Sequence, residues 1–167
     1  MKKICILALS VFIVLLNERC AKVTANTPVN CDGVVTDTAG TGDNARVSMQ
    51  NAFSPNGDGL NDISRPITQN IDSLVFTIYD QNNNVIFTTN KLGMGWTTSV
   101  NNNNFITYYY KIQARTFGKH NIGLCGELYK MSCFPPSLPR SKFKFEDQLQ
   151  PDGTYSANSV ETLPACQ

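Results

Sequence analysis

Histidine is almost missing: the 167 residues contain one, His120. That removes a histidine-based metal centre or catalytic triad from consideration. Charge is scarce too, at 16% of residues, with Lys+Arg 14 against Asp+Glu 13. A formal net charge of +1 offers no electrostatic footprint for nucleic acid or for an anionic membrane surface. Neither a G-x-S-x-G nor an H-E-x-x-H pattern occurs. After residue 20 no segment keeps a 3.6-residue apolar period, so long helices are not expected. Glu146-Asp147 is the one adjacent carboxylate pair of interest, and on a strand its members would point to opposite faces. The expectation is a non-enzymatic, all-β protein without catalytic residues or a required cofactor.

The only long apolar run is Ile4 to Leu16, preceded by Lys2 and Lys3. It is too short to span a bilayer and reads as a signal peptide over 1–20. Two processing sites compete. Cys20 stands where a lipoprotein cysteine would be acylated, although Asn17-Glu18-Arg19 is a poor lipobox; Val23-Thr24-Ala25 is a small-x-small site. Acylation of Cys20 would be the chain's only route to a membrane, whereas cleavage after Ala25 would release it. Without 1–20 the remainder carries 11 basic and 12 acidic residues.

Four cysteines then remain, Cys31, Cys125, Cys133 and Cys166. An even number in an exported chain points to two disulfides with three connectivities available. Zinc fits poorly, because no pair has C-x-x-C spacing. Cys125 and Cys133 can pair with each other only if the chain reverses between them. Bonding of each to a flanking cysteine is therefore favoured.

Residues 21–46 are rich in Thr, Asn, Asp and Gly and read as a linker. From Val47 short apolar runs alternate with Asn/Gly/Pro punctuation. Leu74, Phe76 and Ile78 alternate with Val75, Thr77 and Tyr79; Asp80–Asn84 turns; Val85-Ile86-Phe87-Thr88-Thr89 returns. Ile106, Tyr108, Tyr110 and Ile112 share a face of a second hairpin, which turns at Phe117-Gly118-Lys119 and returns through Ile122, Leu124, Gly126 and Leu128. About seven strands predict an Ig-like β-sandwich over 47–131. Residues 132–167 read as an irregular, disulfide-tethered extension. Within it Phe134-Pro135-Pro136 cannot lie in a central strand, whereas Lys142–Glu146 alternates like a late or edge strand.

The most informative stretch is Ala52-Phe53-Ser54-Pro55-Asn56-Gly57-Asp58-Gly59-Leu60-Asn61-Asp62. It is a strand end followed by a tight loop, in which Gly57 and Gly59 permit left-handed backbone and the Asn and Asp side chains can bond nearby amides. Asn56, Asp58 and Asp62 also gather hard oxygens as a weak calcium loop would, without the distal bidentate Glu; a self-satisfied turn is the alternative. Trp96 is the lone tryptophan, expected in the core, with stacking on a glycan as the other reading.

This opening resembles the gliding motility-associated C-terminal domain, the type B sorting module of the type IX secretion system in Bacteroidetes-type bacteria. The motif residues are Phe53, Pro55, Asn56, Gly57, Asp58, Gly59, Asn61 and Asp62. Ile78-Tyr79-Asp80, Val85-Ile86-Phe87, Gly95-Trp96 and Thr107–Tyr110 resemble its later elements, and the likeness spans about residues 50–131. Gln81-Asn82-Asn83 and Thr97-Thr98 depart from it. The resemblance implies an exported cell-envelope protein that meets type IX machinery or cell-surface components. The alternative is a surface adhesion or carbohydrate-binding lipoprotein at the outer membrane, or a secreted form.

Overall fold

The computed structural model describes residues 31–37, 44–99 and 105–167. The signal segment 1–20, Cys20, the Ala25 site and Asn101–Asn104 lie outside these residues.

Among the described residues seven strands follow in order: β1 (Arg46–Met49), β2 (Ala52–Phe53), β3 (Pro66–Gln69), β4 (Ile71–Tyr79), β5 (Val85–Thr89), β6 (Phe105–Thr116) and β7 (Asn121–Met131). They form two sheets. β1 and β3 pair antiparallel as a ribbon, and the other five order as β2-β7-β6-β4-β5. The protein is an Ig-like β-sandwich, as the alternation predicts.

Both expected hairpins are present. In the first, Asp80 organises the turn: its carboxylate accepts from the amides of Asn82 and Asn84, each at 2.8 Å, and Asn83 takes the left-handed conformation at φ 65°. The second sets Tyr108 opposite Leu128, Tyr110 opposite Gly126 and Ile112 opposite Leu124. Gly126 is where bulk is excluded, since a Cβ there would come within 3.2 Å of the Tyr110 hydroxyl.

Period-two alternation gives the five-stranded sheet two distinct faces. The inner face carries Leu74, Phe76, Ile78, Tyr110, Ile112, Ala114, Leu128 and Phe53, packed with Val47, Met49 and Ile71. The outer face carries Ala52, Tyr129 and Met131, packed with Phe134, Phe143, Phe145 and Leu163 of the extension. The extension therefore supplies one wall of a second apolar core.

Two segments take forms that the sequence does not spell out. Residues 31–37, inside the predicted linker, form a strap on the outer face. Cys31 is bonded to Cys125; Lys111 Nζ donates to the Asp32 carbonyl at 2.9 Å and Gln113 Nε2 to the Gly33 carbonyl at 2.8 Å. The strap runs so close that a Cβ on Gly123 would lie 2.9 Å from the Val35 nitrogen. A disulfide and hydrogen bonds hold it, among them those of Thr36 Oγ1 with Gly123 and of the Asp37 carboxylate with the Asn121 amide, so it needs no apolar periodicity.

Lys142–Glu146 is not a strand. Two 3-10 turns, Arg140–Lys142 and Glu146–Gln148, bracket an extended bend. The alternation is genuine, because Phe143 and Phe145 are buried, but the bend pairs through one residue instead of a ladder. Cys133 is bonded to Cys166, so each internal cysteine is joined to a flanking one. Among the described residues no helix is long and apolar enough to cross a membrane.

Candidate functional site

The Ser54–Asp62 corner leaves β2 and turns back towards β3. Its bonds are mostly its own. The Asp62 carboxylate accepts from the amides of Gly57 at 2.7 Å and Gly59 at 2.8 Å. Asp58 Oδ1 accepts from Leu60 N at 2.8 Å, Asp58 Oδ2 from Asn56 Nδ2 at 2.9 Å, and Asn56 Oδ1 from Asp58 N at 3.0 Å. Gly57, Gly59 and Asn61 stand at φ 83°, 86° and 52°, conformations that Gly and Asn adopt at least cost. The calcium candidates Asn56, Asp58 and Asp62 thus spend their oxygens on loop amides. A cation would have to draw them away. Among the described residues no group of three or more His, Cys, Asp or Glu side chains is placed to hold a metal.

The corner has a wet rim and a dry underside. Asn56, Gly57, Asp58 and Gly59 are exposed, whereas Ser54, Pro55 and Asn61 are buried. The underside closes on Glu161, only 8% exposed. Ser54 Oγ donates to Glu161 Oε2, and Asn61 Nδ2 donates to the same oxygen at 3.2 Å. Asn61 Oδ1 in turn accepts from the Asp147 amide at 3.2 Å. A carboxylate removed from water demands such donors, because leaving it unpaired is strongly unfavourable.

The extension also flanks the strand that enters the corner. The Lys144 carbonyl accepts from the amides of Asn51 at 3.0 Å and Ala52 at 3.1 Å. Asn51 Oδ1 accepts from Lys144 N at 2.6 Å, and Asn51 Nδ2 donates to the Lys142 carbonyl at 3.0 Å. β2 is therefore held between β7 on one side and residues 142–144 on the other.

The exit of the corner is braced differently. Ser64 and Trp96 exchange backbone bonds of 2.8 Å in both directions. Thr97 Oγ1 donates to the Asp62 carbonyl at 2.9 Å. The Trp96 ring meets Phe53 at 5.4 Å and Tyr108 at 5.0 Å, so it packs on the inner core. That geometry supports the packing reading of Trp96 over the sugar-stacking one. Gly95 is needed beside it, since a Cβ would lie 2.8 Å from the Ser64 carbonyl oxygen.

Arg65 and Glu146 form a forked ion pair across the corner's flank, with Nε 3.1 and 3.2 Å from the two carboxylate oxygens. The hydrogen bonds that Arg65 donates to Glu146 hold the guanidinium pKa above its ordinary value. Asp147 faces elsewhere and accepts from Ser159 Oγ at 2.8 Å and from the Val160 amide at 2.8 Å. The two carboxylates sit next to each other on one 3-10 turn, not on a strand as expected, and they engage different partners. Tyr155, further along the extension, is pushed up to about 12, first by burial and then by Tyr110 and Glu146. His120 contributes its carbonyl to the β6–β7 turn, accepting from Thr116 N at 2.9 Å.

Sequence reasoning picked out the corner but missed Glu161, and it did not join Asp147 or Lys144 to the corner. Glu161 lies 107 residues from Ser54, and no periodicity or spacing joins the two. The only available signal was Cys166, which ties the tail back to the body.

Residues 47–124 match the family described as the CHU_C type IX secretion signal domain. No curated protein and no solved structure matches the chain. The match opens within β1, includes the whole corner, and ends within β7, before the extension begins.

Proposed function

We propose, from the premise that residues 47–124 are a type IX secretion signal domain of the CHU_C family, that this protein works outside the inner membrane by contact and not by turnover. Such a domain is a non-catalytic module that marks its chain for export by the type IX system. The exposed rim Asn56–Gly59 is the surface offered to the secretion machinery, with the neighbouring sheet as its support. What carries this reading is the coincidence of the family match with a corner whose rim is solvent-exposed and yet fixed by its own hydrogen bonds. A rim already ordered loses little conformational freedom on docking.

The test is cell fractionation of the full chain, epitope-tagged, in a type IX-competent strain and in one lacking the translocon. Protease-accessible protein on the exterior in the first and periplasmic retention in the second is the expected result. Exterior protein in both strains contradicts it. Anchoring is a separate matter, read from the mass of the mature N-terminus. An acylated Cys20 holds the chain at the outer membrane as a lipoprotein, and cleavage after Ala25 leaves it secreted. A glycan partner would show as binding to a glycan array that Trp96→Ala abolishes without unfolding.

A further inference from the structure

We infer that Glu161 is a positioning residue for the signature corner, so that the secretion signal is a composite of residues 47–124 and a tail segment outside the family match. The inference rests on the reading above for its functional half and on geometry alone for its structural half.

Three observations carry it. Ser54 and Asn61 are the corner's two buried polar side chains, and both donate to one oxygen of Glu161. Glu161 is itself buried, so the two donors and the carboxylate need one another. Asn61 holds a left-handed backbone at φ 52°, and its carbonyl accepts from the Ser54 amide at 2.9 Å, closing the loop's neck. Fixing both side chains fixes that neck, and the neck sets how Asn56–Gly59 is presented. The Glu161 segment is itself held at both ends. Ser159 Oγ accepts from the Glu161 amide at 3.0 Å while donating to Asp147, and the Cys133–Cys166 disulfide lies just beyond. Glu161 is buried and its carboxylate bonds to Ser54 and Asn61 beneath the rim, so it acts through them and not by contacting a partner.

The experiment compares full-length oxidised protein with Glu161→Ala and Glu161→Gln. Backbone amide NMR of residues 54–61 and exterior fraction in the type IX-competent strain are read together. Glu161→Ala is expected to shift the corner resonances, to speed exchange of the Ser54 amide by about tenfold, and to lower the exterior fraction several-fold. Amides of β4 and β6 stay protected. Glu161→Gln keeps an acceptor oxygen and restores most of both readouts. Ser54→Ala, which deletes one donor, reproduces the corner shifts in a milder form. Wild-type corner resonances in Glu161→Ala overturn the inference. So does equal impairment of the Ala and Gln variants in step with lowered melting temperature, since that marks a merely structural role. If unaltered protein never reaches the exterior while the corner responds as described, the sorting reading fails and the positioning role stands.

Discussion

At one edge of the five-stranded sheet, the amides of Asn51 and Ala52 at the start of β2 are taken by the Lys144 carbonyl, and the extension seals the face beside them with Phe134, Phe143 and Phe145. At the other edge, β5 has no strand beyond it among the described residues, and Val85 and Ile86 are 57% and 40% exposed. Val75 on the adjoining strand is 49% exposed on the same outer face. β5 carries no charge or proline, the usual protections of an open edge, and relies on its shortness and a register break at Ile78/Tyr79. The contrast shows where this chain has invested its tail. Among the described residues the extension covers the edge next to the signature corner and not the far edge.

The comparison breaks most sharply in the aromatic cluster. Phe143 stacks edge-on against Tyr129 at 5.3 Å and meets Phe105 and Phe134 at 5.9 and 6.0 Å. Phe143→Ala should lower stability by about 3–5 kcal/mol in denaturant unfolding, whereas Val85→Ala stays within about 0.5 kcal/mol. Opening the Cys133–Cys166 loop, a separation of 33 residues, by the double serine variant should remove about 3–4 kcal/mol. Limited proteolysis should then cut within 134–165 while 66–131 survives. Gly95→Ala, which presses on the Ser64 backbone behind the corner, should lose about 1–3 kcal/mol in thermal melts. At the open edge Ile86→Lys should change stability by no more than about 0.5 kcal/mol and should suppress concentration-dependent association in sedimentation.

The smallest effect concerns pH. Hydrogen bonds from Asn84 side chain and backbone, and from the Asn82 backbone, hold the Asp80 carboxyl below its ordinary value. A depressed folded-state value means that the turn's contribution is full above the ordinary Asp range and is lost as pH falls through the folded value. The β4–β5 turn should therefore loosen in acid, seen as faster exchange at Asn84. Asp80→Asn should flatten that dependence.

Much of the body was legible because period-two alternation writes both hairpins directly. Leu74, Phe76 and Ile78 against Val75, Thr77 and Tyr79 fix which face is buried, and Asp80–Asn84 and Phe117–Lys119 mark the reversals. The corner was legible as a turn through Gly57, Gly59 and its Asx residues. The underside was not. Glu161 meets Ser54 and Asn61 only in the folded chain, and a single carboxylate in an irregular tail has no local pattern. The strap at 31–37 escaped for a related reason, since its hydrogen bonds run from backbone carbonyls, Thr36 and Asp37 to residues about eighty positions away and leave no local pattern. Lys142–Glu146 alternated like a strand because alternation reports burial of every second side chain, and an extended bend between two 3-10 turns satisfies it equally.

Hydrogen exchange at Asn51 and Ala52 measures the central claim, that the tail completes the corner. In the full oxidised chain both amides should exchange slowly, with protection approaching that of β6 and β7. In the Cys133→Ser/Cys166→Ser protein that protection should collapse together with that of Ser54, while β4 and β6 remain slow. Equal protection of Asn51, Ala52 and Ser54 in the two proteins would contradict the claim.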